Sequence, residues 1–256
     1  MSLKKTIKKI IKKIKIFFLK TTPNPLVGST NEITRVVWLE KTLKNIPRGS
    51  KILDAGAGEQ QFKKFCNHLE YVSQDFAQYE PEDLNYGLQM ENWDYGKLDI
   101  ISDIASIPVA DKSFDAIMCT EVFEHIVNPR EAIKEFSRIL KKEGYLIITA
   151  PFCSLTHFAP YHFYTGFNLF FYETELVKNG FSIIEITPNG NFFEYLAQEI
   201  KRLPHIAKQY SKIVLTKNEI NKIQEINLLL QNLSDNDSNS SELLCHGYHV
   251  LARKND

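Results

Sequence analysis

From Lys51 onward, short apolar runs alternate along the chain with longer amphipathic stretches. The runs that predict strands are 52–55, 71–73, 100–101, 114–119, 145–149, 181–187 and 248–252. Apolar residues at helical spacing predict helices at 61–68, 128–140, 173–179 and over most of 191–232, with a break at Pro204. This alternation predicts an α/β fold, with a doubly wound, mostly parallel seven-stranded sheet and helices on both faces.

The N-terminal part follows a different pattern. Residues 1–22 predict a basic amphipathic helix, in which apolar residues and eight lysines occupy opposite faces. Residues 23–48 predict a helical lead-in, with its helix at about 31–45. Residues 49–255 then form the α/β domain, with a helical insertion at about 191–241.

Charge separates the first 20 residues from the rest. The whole chain has 31 basic and 31 acidic residues, but residues 1–20 hold eight lysines and no acid. The remainder therefore carries a net charge of −8. This asymmetry predicts that residues 3–20 lie on an anionic membrane surface, although packing on the domain or on a partner subunit stays open. The acidic body makes nucleic acid an unlikely partner.

The four cysteines and the hydropathy pattern indicate the compartment. The cysteines are scattered without a C-x-x-C pair, so we expect neither a disulfide framework nor a zinc site. No run of 18 apolar residues is present, so no spanning helix is expected. The prediction is a cytoplasmic protein whose basic helix places it on the inner face of the membrane.

The first predicted strand runs into a glycine loop, Asp54-Ala-Gly56-Ala-Gly58-Glu-Gln60. Glycines after a strand let the backbone turn tightly and approach a ligand closely. A dinucleotide site would require a further glycine at position 61, where Gln61 stands. A carboxylate at Asp54 instead suits the cationic amino-acid end of S-adenosylmethionine.

Several segments occur in the order typical of one family. They are the glycine loop, Asp75 at 21 residues after Asp54, the pair Asp103-Ile104, and the stretches 113–125 and 138–151. On these residues the chain resembles the seven-stranded S-adenosylmethionine-dependent methyltransferases of the type 11 group, over about 50–190 plus the last strand. One departure is Gln60, where the family often has a third glycine.

The resemblance implies a set of cofactor-binding residues. Asp75 would bind the ribose hydroxyls, while Asp103 and the backbone of Ile104 would bind the adenine. The set is Asp54, Gly56, Gly58, Asp75, Asp103, Ile104, Thr120 and Glu121.

Catalysis of methyl transfer needs positioning and, for a hydroxyl acceptor, a base. The candidate catalytic residues beside the predicted pocket are Glu124, His125 and His162. Residues 156–172 are rich in aromatic side chains, which suit stacking on sugar rings or simple core packing. The resemblance to glycan methyltransferases, which have a similar stretch after strand five, implies O-methylation of a sugar hydroxyl in a surface glycan or related metabolite, with a small-molecule or lipid-linked acceptor.

Two other functions remain open. The spacing Glu121-x-x-Glu124-His125 places three ligands on one helical turn and is similar to the divalent-metal cluster of some methyltransferases of quinone precursors and RNA ends. A methyltransferase of a lipid-soluble phenol is therefore one alternative. The other is a catalytically silent cofactor-binding protein on a membrane surface. The favoured hypothesis assigns no metal ligands.

Overall fold

The computed structural model of the protein describes residues 25–81 and 86–255. The basic amphipathic helix predicted at 1–22 lies outside the described residues.

Helices and strands alternate through most of the described chain. The helices are α1 Asn31–Lys44, α2 Pro129–Ile139, α3 Leu169–Lys178, α4 Phe192–Ile206 and α5 Lys217–Asp235. The strands are β1 Lys51–Ala55, β2 Glu70–Asp75, β3 Ile100–Ile101, β4 Phe114–Thr120, β5 Leu140–Pro151, β6 Phe181–Asn189 and β7 Gly247–Lys254.

The seven strands form one sheet in the order β3-β2-β1-β4-β5-β7-β6. The strand pairs from β3 to β5 are parallel, whereas β7 runs antiparallel to β5. The sheet is therefore mixed, which corrects part of the mostly parallel prediction. The direction of β7 follows from where the insertion ends. The His246 N–H donates to the Asn189 carbonyl, so the residue before β7 lies beside the last residue of β6. Strand β7 therefore starts where β6 ends and runs in the opposite direction.

The sheet core explains why the apolar runs predict strands well. Ile52 and Leu53 of β1, Ile117 of β4, and Leu146 and Ile147 of β5 are completely buried. In the sequence, strands that are covered on both faces appear as nearly continuous apolar segments and not as alternating apolar and polar residues. Burial of these side chains fixes the central strands, and so fixes where their polar carboxyl ends lie.

The helix predicted at 61–68 is wrong. Only a 3₁₀ turn, Lys63–Phe65, forms there, with i→i+3 hydrogen bonds such as Cys66 N–H to the Lys63 carbonyl. A helix of eight residues forms too few hydrogen bonds to offset the unfavourable free energy of helix nucleation, so it needs packing contacts to be stable. The glycine loop therefore has no α-helix N-terminus behind it, contrary to what the usual nucleotide-binding arrangement would suggest.

Pro204 does not break its helix, again contrary to the sequence prediction. Helix α4 continues through Pro204 to Ile206, and a π-helical turn, Ala207–Ser211, follows it. The Ala207 N–H still reaches the carbonyls of Leu203 and Pro204, so the proline removes only its own donor. Helix α5 also extends to Asp235, three residues beyond the predicted helical stretch.

The described chain divides into two compact units. Unit 1 comprises residues 25–36 and 189–246, and includes the expected insertion at 191–241. Its centre is the buried Glu194 carboxylate, which accepts hydrogen bonds from the Gly28 N–H at 2.7 Å and the Thr30 hydroxyl at 3.1 Å. Unit 2 comprises residues 37–188 and 247–255, and contains the sheet.

None of the helices in the described ranges is both long enough and apolar enough to span a bilayer.

Candidate cofactor and active site

The predicted cofactor residues lie at the carboxyl ends of neighbouring strands in unit 2. Asp54 is near the end of β1, Asp75 ends β2 and Thr120 ends β4. These strands are adjacent in the sheet, so their carboxyl ends meet at one edge. In open α/β sheets this edge is where ligands bind.

Asp54 is a buried carboxylate beside the glycine loop. It is 3% exposed, and its Oδ2 accepts a hydrogen bond of 2.5 Å from the Tyr71 hydroxyl. Burial raises the pKa of Asp54 to about 7; the Tyr71 hydrogen bond opposes this rise and the charge of Asp75 adds to it. A cation placed next to Asp54 would stabilise its ionised form.

Asp75 joins the glycine loop to the end of β2. Its two carboxylate oxygens accept the Gly58 N–H at 2.9 Å and the Ala77 N–H at 3.0 Å. Burial raises the pKa of Asp75, although the backbone donors oppose the rise. An ionised carboxylate offers about four acceptor positions, so Asp75 keeps acceptor capacity beyond its backbone donors.

The glycine loop requires glycine at both predicted positions. Gly56 has φ +74°, and a Cβ there would lie 2.5 Å from the Val122 side chain. A Cβ on Gly58 would lie 2.8 Å from the Trp93 ring. The loop can therefore keep this path only without side chains at these two positions.

Gln60 takes over the role of the family's third glycine. Its φ is +55°, a left-handed conformation that glycine adopts more readily. The Gln60 amide donates hydrogen bonds of 3.0 Å to the carbonyls of Tyr95 and Lys97. These bonds offset the backbone strain and attach the loop to the segment that carries Trp93.

Asp103 and Ile104 follow β3 beside Asp75. The Ser102 N–H donates to the Asp75 carbonyl at 3.0 Å, which places the next residue close to the end of β2. The Asp103 side chain is exposed and accepts the Ala105 N–H at 2.8 Å, while Ile104 is buried. The structure thus brings Asp103 to the same edge as Asp54 and Asp75.

Thr120 and Glu121 lie at the end of β4, which neighbours β1 on the side away from β2. Thr120 pairs with Thr149 of β5, and the hydroxyls of both are buried with no hydrogen-bond partner among the described residues. Glu121 has φ +54°, an uncommon conformation that occurs often at functional sites. Unsatisfied buried hydroxyls, a buried carboxylate suited to a cation and a second carboxylate suited to ribose together fit S-adenosylmethionine.

Three histidines and a glutamate cluster just beyond β4 and β5. The His125 ring centroid lies 4.6 Å from that of His157 and 6.0 Å from that of His162. His125 Nδ1 lies 2.6 Å from the Tyr161 carbonyl, which can only accept, so Nδ1 carries the proton. The Glu124 side chain is buried, and its Oε1 lies 3.7 Å from His125 Nε2. Burial, and then the neighbouring His157, lower the pKa of His125 to about 3.

His162 is the candidate base of this cluster that lies against a serine hydroxyl. Its Nε2 lies 3.2 Å from the Ser154 hydroxyl, which itself donates to the Thr165 carbonyl at 3.0 Å. Because the serine proton is used in this way, His162 donates from Nε2 and keeps its lone pair on Nδ1. Burial, followed by the charge of His157, lowers the pKa of His162, so the ring is neutral at neutral pH.

An aromatic contact connects the cofactor residues to the histidines. Phe76, the residue after Asp75, packs edge-on against Tyr161 at 4.9 Å, and the Tyr161 carbonyl holds His125. The catalytic residues predicted from the sequence, Glu124, His125 and His162, therefore lie together and beside the predicted cofactor residues.

Sequence reasoning missed the aromatic residues of the 76–97 segment. Tyr79 and Trp93 pack on Phe158 with ring centroids 4.4 and 4.9 Å apart. The segment has no apolar periodicity, so its sequence pattern does not predict this packing. In residues 156–172, Phe163, Tyr164 and Phe170 are exposed while Phe167 and Tyr172 are buried, so stacking and core-packing roles are both available.

The stability of Asp54→Asn relative to the wild type should increase as the pH rises. The folded-state pKa of Asp54, about 7, exceeds the unfolded value of about 3.8, so the wild type loses stability between these two pH values. The variant does not titrate and can still accept from Tyr71. Its advantage in free energy of unfolding should grow by on the order of 3 kcal/mol from about pH 4 to about pH 8 in urea titrations.

Asp115→Asn is the matched control. Burial raises the pKa of Asp115, but hydrogen bonds from Lys141 and the Lys51 N–H outweigh it and lower the pKa overall. This variant should therefore become less stable than the wild type as the pH rises through the acid range. A constant difference between Asp54→Asn and wild type across the whole pH range would contradict the described environment of Asp54.

Comparisons with known proteins agree with this geometry. Residues 53–148 match the model of the methyltransferase domain family. An uncharacterized protein of Methanocaldococcus jannaschii is 34% identical over 97 residues, which are 38% of this chain and 39% of that protein. The chain thus spans about two fifths of the length of that relative.

Solved structures share the fold at low sequence identity. An S-adenosylmethionine-dependent methyltransferase from Archaeoglobus fulgidus has a TM-score of 0.52 at 16% identity, covering 86% of this chain and 93% of that one. Phosphoethanolamine N-methyltransferase 2 from Haemonchus contortus, solved with S-adenosyl-L-methionine, has a TM-score of 0.51 at 17% identity, covering 86% and 52%. The cyclase SpnF has a TM-score of 0.50 at 17% identity, covering 85% and 80%. The fold is that of the class I methyltransferases, residues 53–148 match the methyltransferase domain family, and the comparisons support S-adenosylmethionine as the cofactor.

Proposed function

We propose that this chain is an S-adenosylmethionine-dependent methyltransferase that O-methylates a sugar hydroxyl of a surface glycan or related metabolite. The observation that supports this most is the position of the histidine cluster, which the Phe76–Tyr161 contact joins to the carboxylates of the proposed cofactor edge. A cofactor site and a proton acceptor are thus next to each other. The acceptor is a small molecule or a lipid-linked glycan.

The cofactor supplies a methyl group activated on a sulfonium, so the protein needs only to position the acceptor hydroxyl and remove its proton. Asp75 would hold the ribose hydroxyls and Asp103 would hold the adenine amino group. Asp54 would offset the positive charge of the amino-acid end, and that charge would in turn stabilise the ionised form of this buried carboxylate. Holding the reacting groups in line accounts for much of the rate.

His162 is the proposed base for the acceptor hydroxyl. Its Nδ1 carries the lone pair because Nε2 donates to Ser154, and its lowered pKa keeps it neutral. The exposed rings of Phe163 and Tyr164 follow it in the chain and offer faces on which a sugar can stack. These features favour a polyol acceptor whose hydroxyl gives its proton to His162.

His162→Ala should abolish methyl transfer while leaving cofactor affinity unchanged. Loss of a positioned base reduces the rate by about 10²–10⁴-fold. The measurement is transfer of labelled methyl to a panel of sugars and glycosides, beside calorimetric titration with S-adenosylmethionine. The exposed His205 in helix α4 gives the matched control, since His205→Ala should keep full turnover.

The pH profile provides a second readout of the same role. Since the pKa of His162 is lowered, wild-type kcat/KM should stay level through neutrality and fall only below the ordinary histidine range. Turnover by His162→Ala at the wild-type rate would remove the base assignment. Cofactor binding with no turnover on any hydroxyl acceptor would favour the catalytically silent alternative.

A metal-assisted methyltransferase of a phenolic acceptor is the second candidate function. Glu124, His125 and His157 each offer a ligand atom, and these atoms lie within 4.8 Å of one another. The protons on Nδ1 of His125 and His157 donate to the Tyr161 and Leu155 carbonyls, so the Nε2 atoms carry the lone pairs. Nitrogen and carboxylate ligands in this arrangement suit Mn²⁺ or Zn²⁺. His157 completes the set, whereas Glu121 of the predicted Glu-x-x-Glu-His motif lies outside it.

Removal of divalent metal by a chelator distinguishes the metal-assisted function from the metal-independent one. If the metal candidate holds, dialysis against EDTA should abolish turnover, and Mn²⁺ should restore it. Mn²⁺ binding, followed by electron paramagnetic resonance, should be lost in His157→Ala and kept in His68→Ala. Activity and Mn²⁺ spectra that are indifferent to EDTA and to His157→Ala would leave the metal-independent proposal alone.

A further inference from the structure

Unit 1 contains a helical hairpin with a well-defined tip. The start of α4 lies beside the end of α5, because the Asn191 amide donates to the Ser234 hydroxyl at 3.2 Å. The two helices are therefore antiparallel, and the turn at 207–216 lies at the far end of the pair. We define the tip as residues 201–217.

The tip is basic and contains no acidic residue. Between Glu199 and Glu219 the charged side chains are Lys201, Arg202, Lys208, Lys212 and Lys217. Lys208, Lys212 and Lys217 are exposed, and no carboxylate of the described residues lies within ion-pair distance of them. This distribution is unusual on a body with a net negative charge, and it produces a local positive potential.

Large apolar side chains are exposed between these cations. The exposed fractions are 48% for Leu203, 60% for Tyr210, 56% for Ile213 and 75% for Val214. Lys212 has φ +57°, and this left-handed bend lies directly before Ile213 and Val214 in the turn. Apolar and aromatic residues among lysines are typical of segments that insert into the interface of an anionic bilayer.

The N-terminal segment reaches the described chain at the same end of α4. The Lys201 ammonium donates to the Pro25 carbonyl at 2.8 Å and to the Ser29 hydroxyl at 2.7 Å. The 24 residues before Pro25 contain eight lysines and no acid. The sequence before Pro25 therefore carries charge of the same sign as the tip.

We propose that the tip is a membrane-docking surface that binds anionic phospholipid. Lysines near such a surface each add attraction, and Ile213 and Val214 enter the headgroup region. Nucleic acid would use the cations but would leave these two aliphatic side chains exposed to water, so lipid is the better match. This inference is independent of the acceptor and of the reaction proposed above.

Vesicle sedimentation of the full chain tests the proposal. Wild type should sediment with phosphatidylcholine vesicles containing phosphatidylglycerol, and not with pure phosphatidylcholine. Ile213→Ser/Val214→Ser, and separately Lys208→Gln/Lys212→Gln/Lys217→Gln, should each weaken binding by about tenfold or more. Circular dichroism should match wild type, since these side chains are exposed.

Leu228→Ser/Leu229→Ser is the matched control. These leucines in α5 are 56% and 57% exposed, as the tip residues are, but their nearest charged neighbours in sequence are Glu225 and Asp235. The control should bind vesicles as wild type does. The proposal fails if wild type does not sediment, if both tip variants bind normally, or if the tip lysines bind polyuridylate and not vesicles.

An added tryptophan gives a direct readout at the tip. Val214→Trp should show a blue-shifted emission with anionic vesicles and quenching by brominated lipid, whereas Leu228→Trp should show neither. The native tryptophans, Trp38 and Trp93, are common to both variants and set the background. Equal responses from the two variants would overturn a specific docking role for the tip.

Discussion

The burial of two carboxylates at adjacent strand ends is the constraint on which the rest of the site depends. Asp54 and Asp75 are both nearly inaccessible, and each raises the electrostatic cost of ionising the other. The Tyr71 hydroxyl and the Gly58 N–H provide only partial compensation. A site of this kind favours a ligand with a cationic end and free hydroxyls, and an α/β sheet presents it at one edge.

The same sheet edge brings the proposed cofactor residues near the histidine cluster. Phe76 comes directly after Asp75 and packs on Tyr161, whose carbonyl orients His125. The histidine cluster is therefore linked through Tyr161 to the residue next to Asp75. The cluster is therefore available at this edge in both proposals, through His162 as a base or through His157 as a metal ligand.

The sheet was the part that the sequence could predict, together with the strand ends at which Asp54, Asp75 and Asp103 lie. The central strands are covered on both sides, so their apolar runs are unambiguous, and Asp54, Asp75 and Asp103 follow directly from them. The helix at 61–68 failed because a short segment after glycines closes as a 3₁₀ turn. Trp93 could not be found, since its contact with Phe158 joins segments 65 residues apart and leaves no periodic trace. The antiparallel β7 depended on where the insertion returns the chain.

The most direct test is calorimetric titration of the wild type with S-adenosylmethionine and S-adenosylhomocysteine, beside Asp75→Asn and the exposed control Asp111→Asn. Wild type and Asp111→Asn should bind both ligands with similar affinity. Asp75→Asn should bind about tenfold to hundredfold more weakly, because it loses charge-assisted hydrogen bonds to the ribose. Absence of binding by the wild type would contradict the account, and the fold would then serve another ligand.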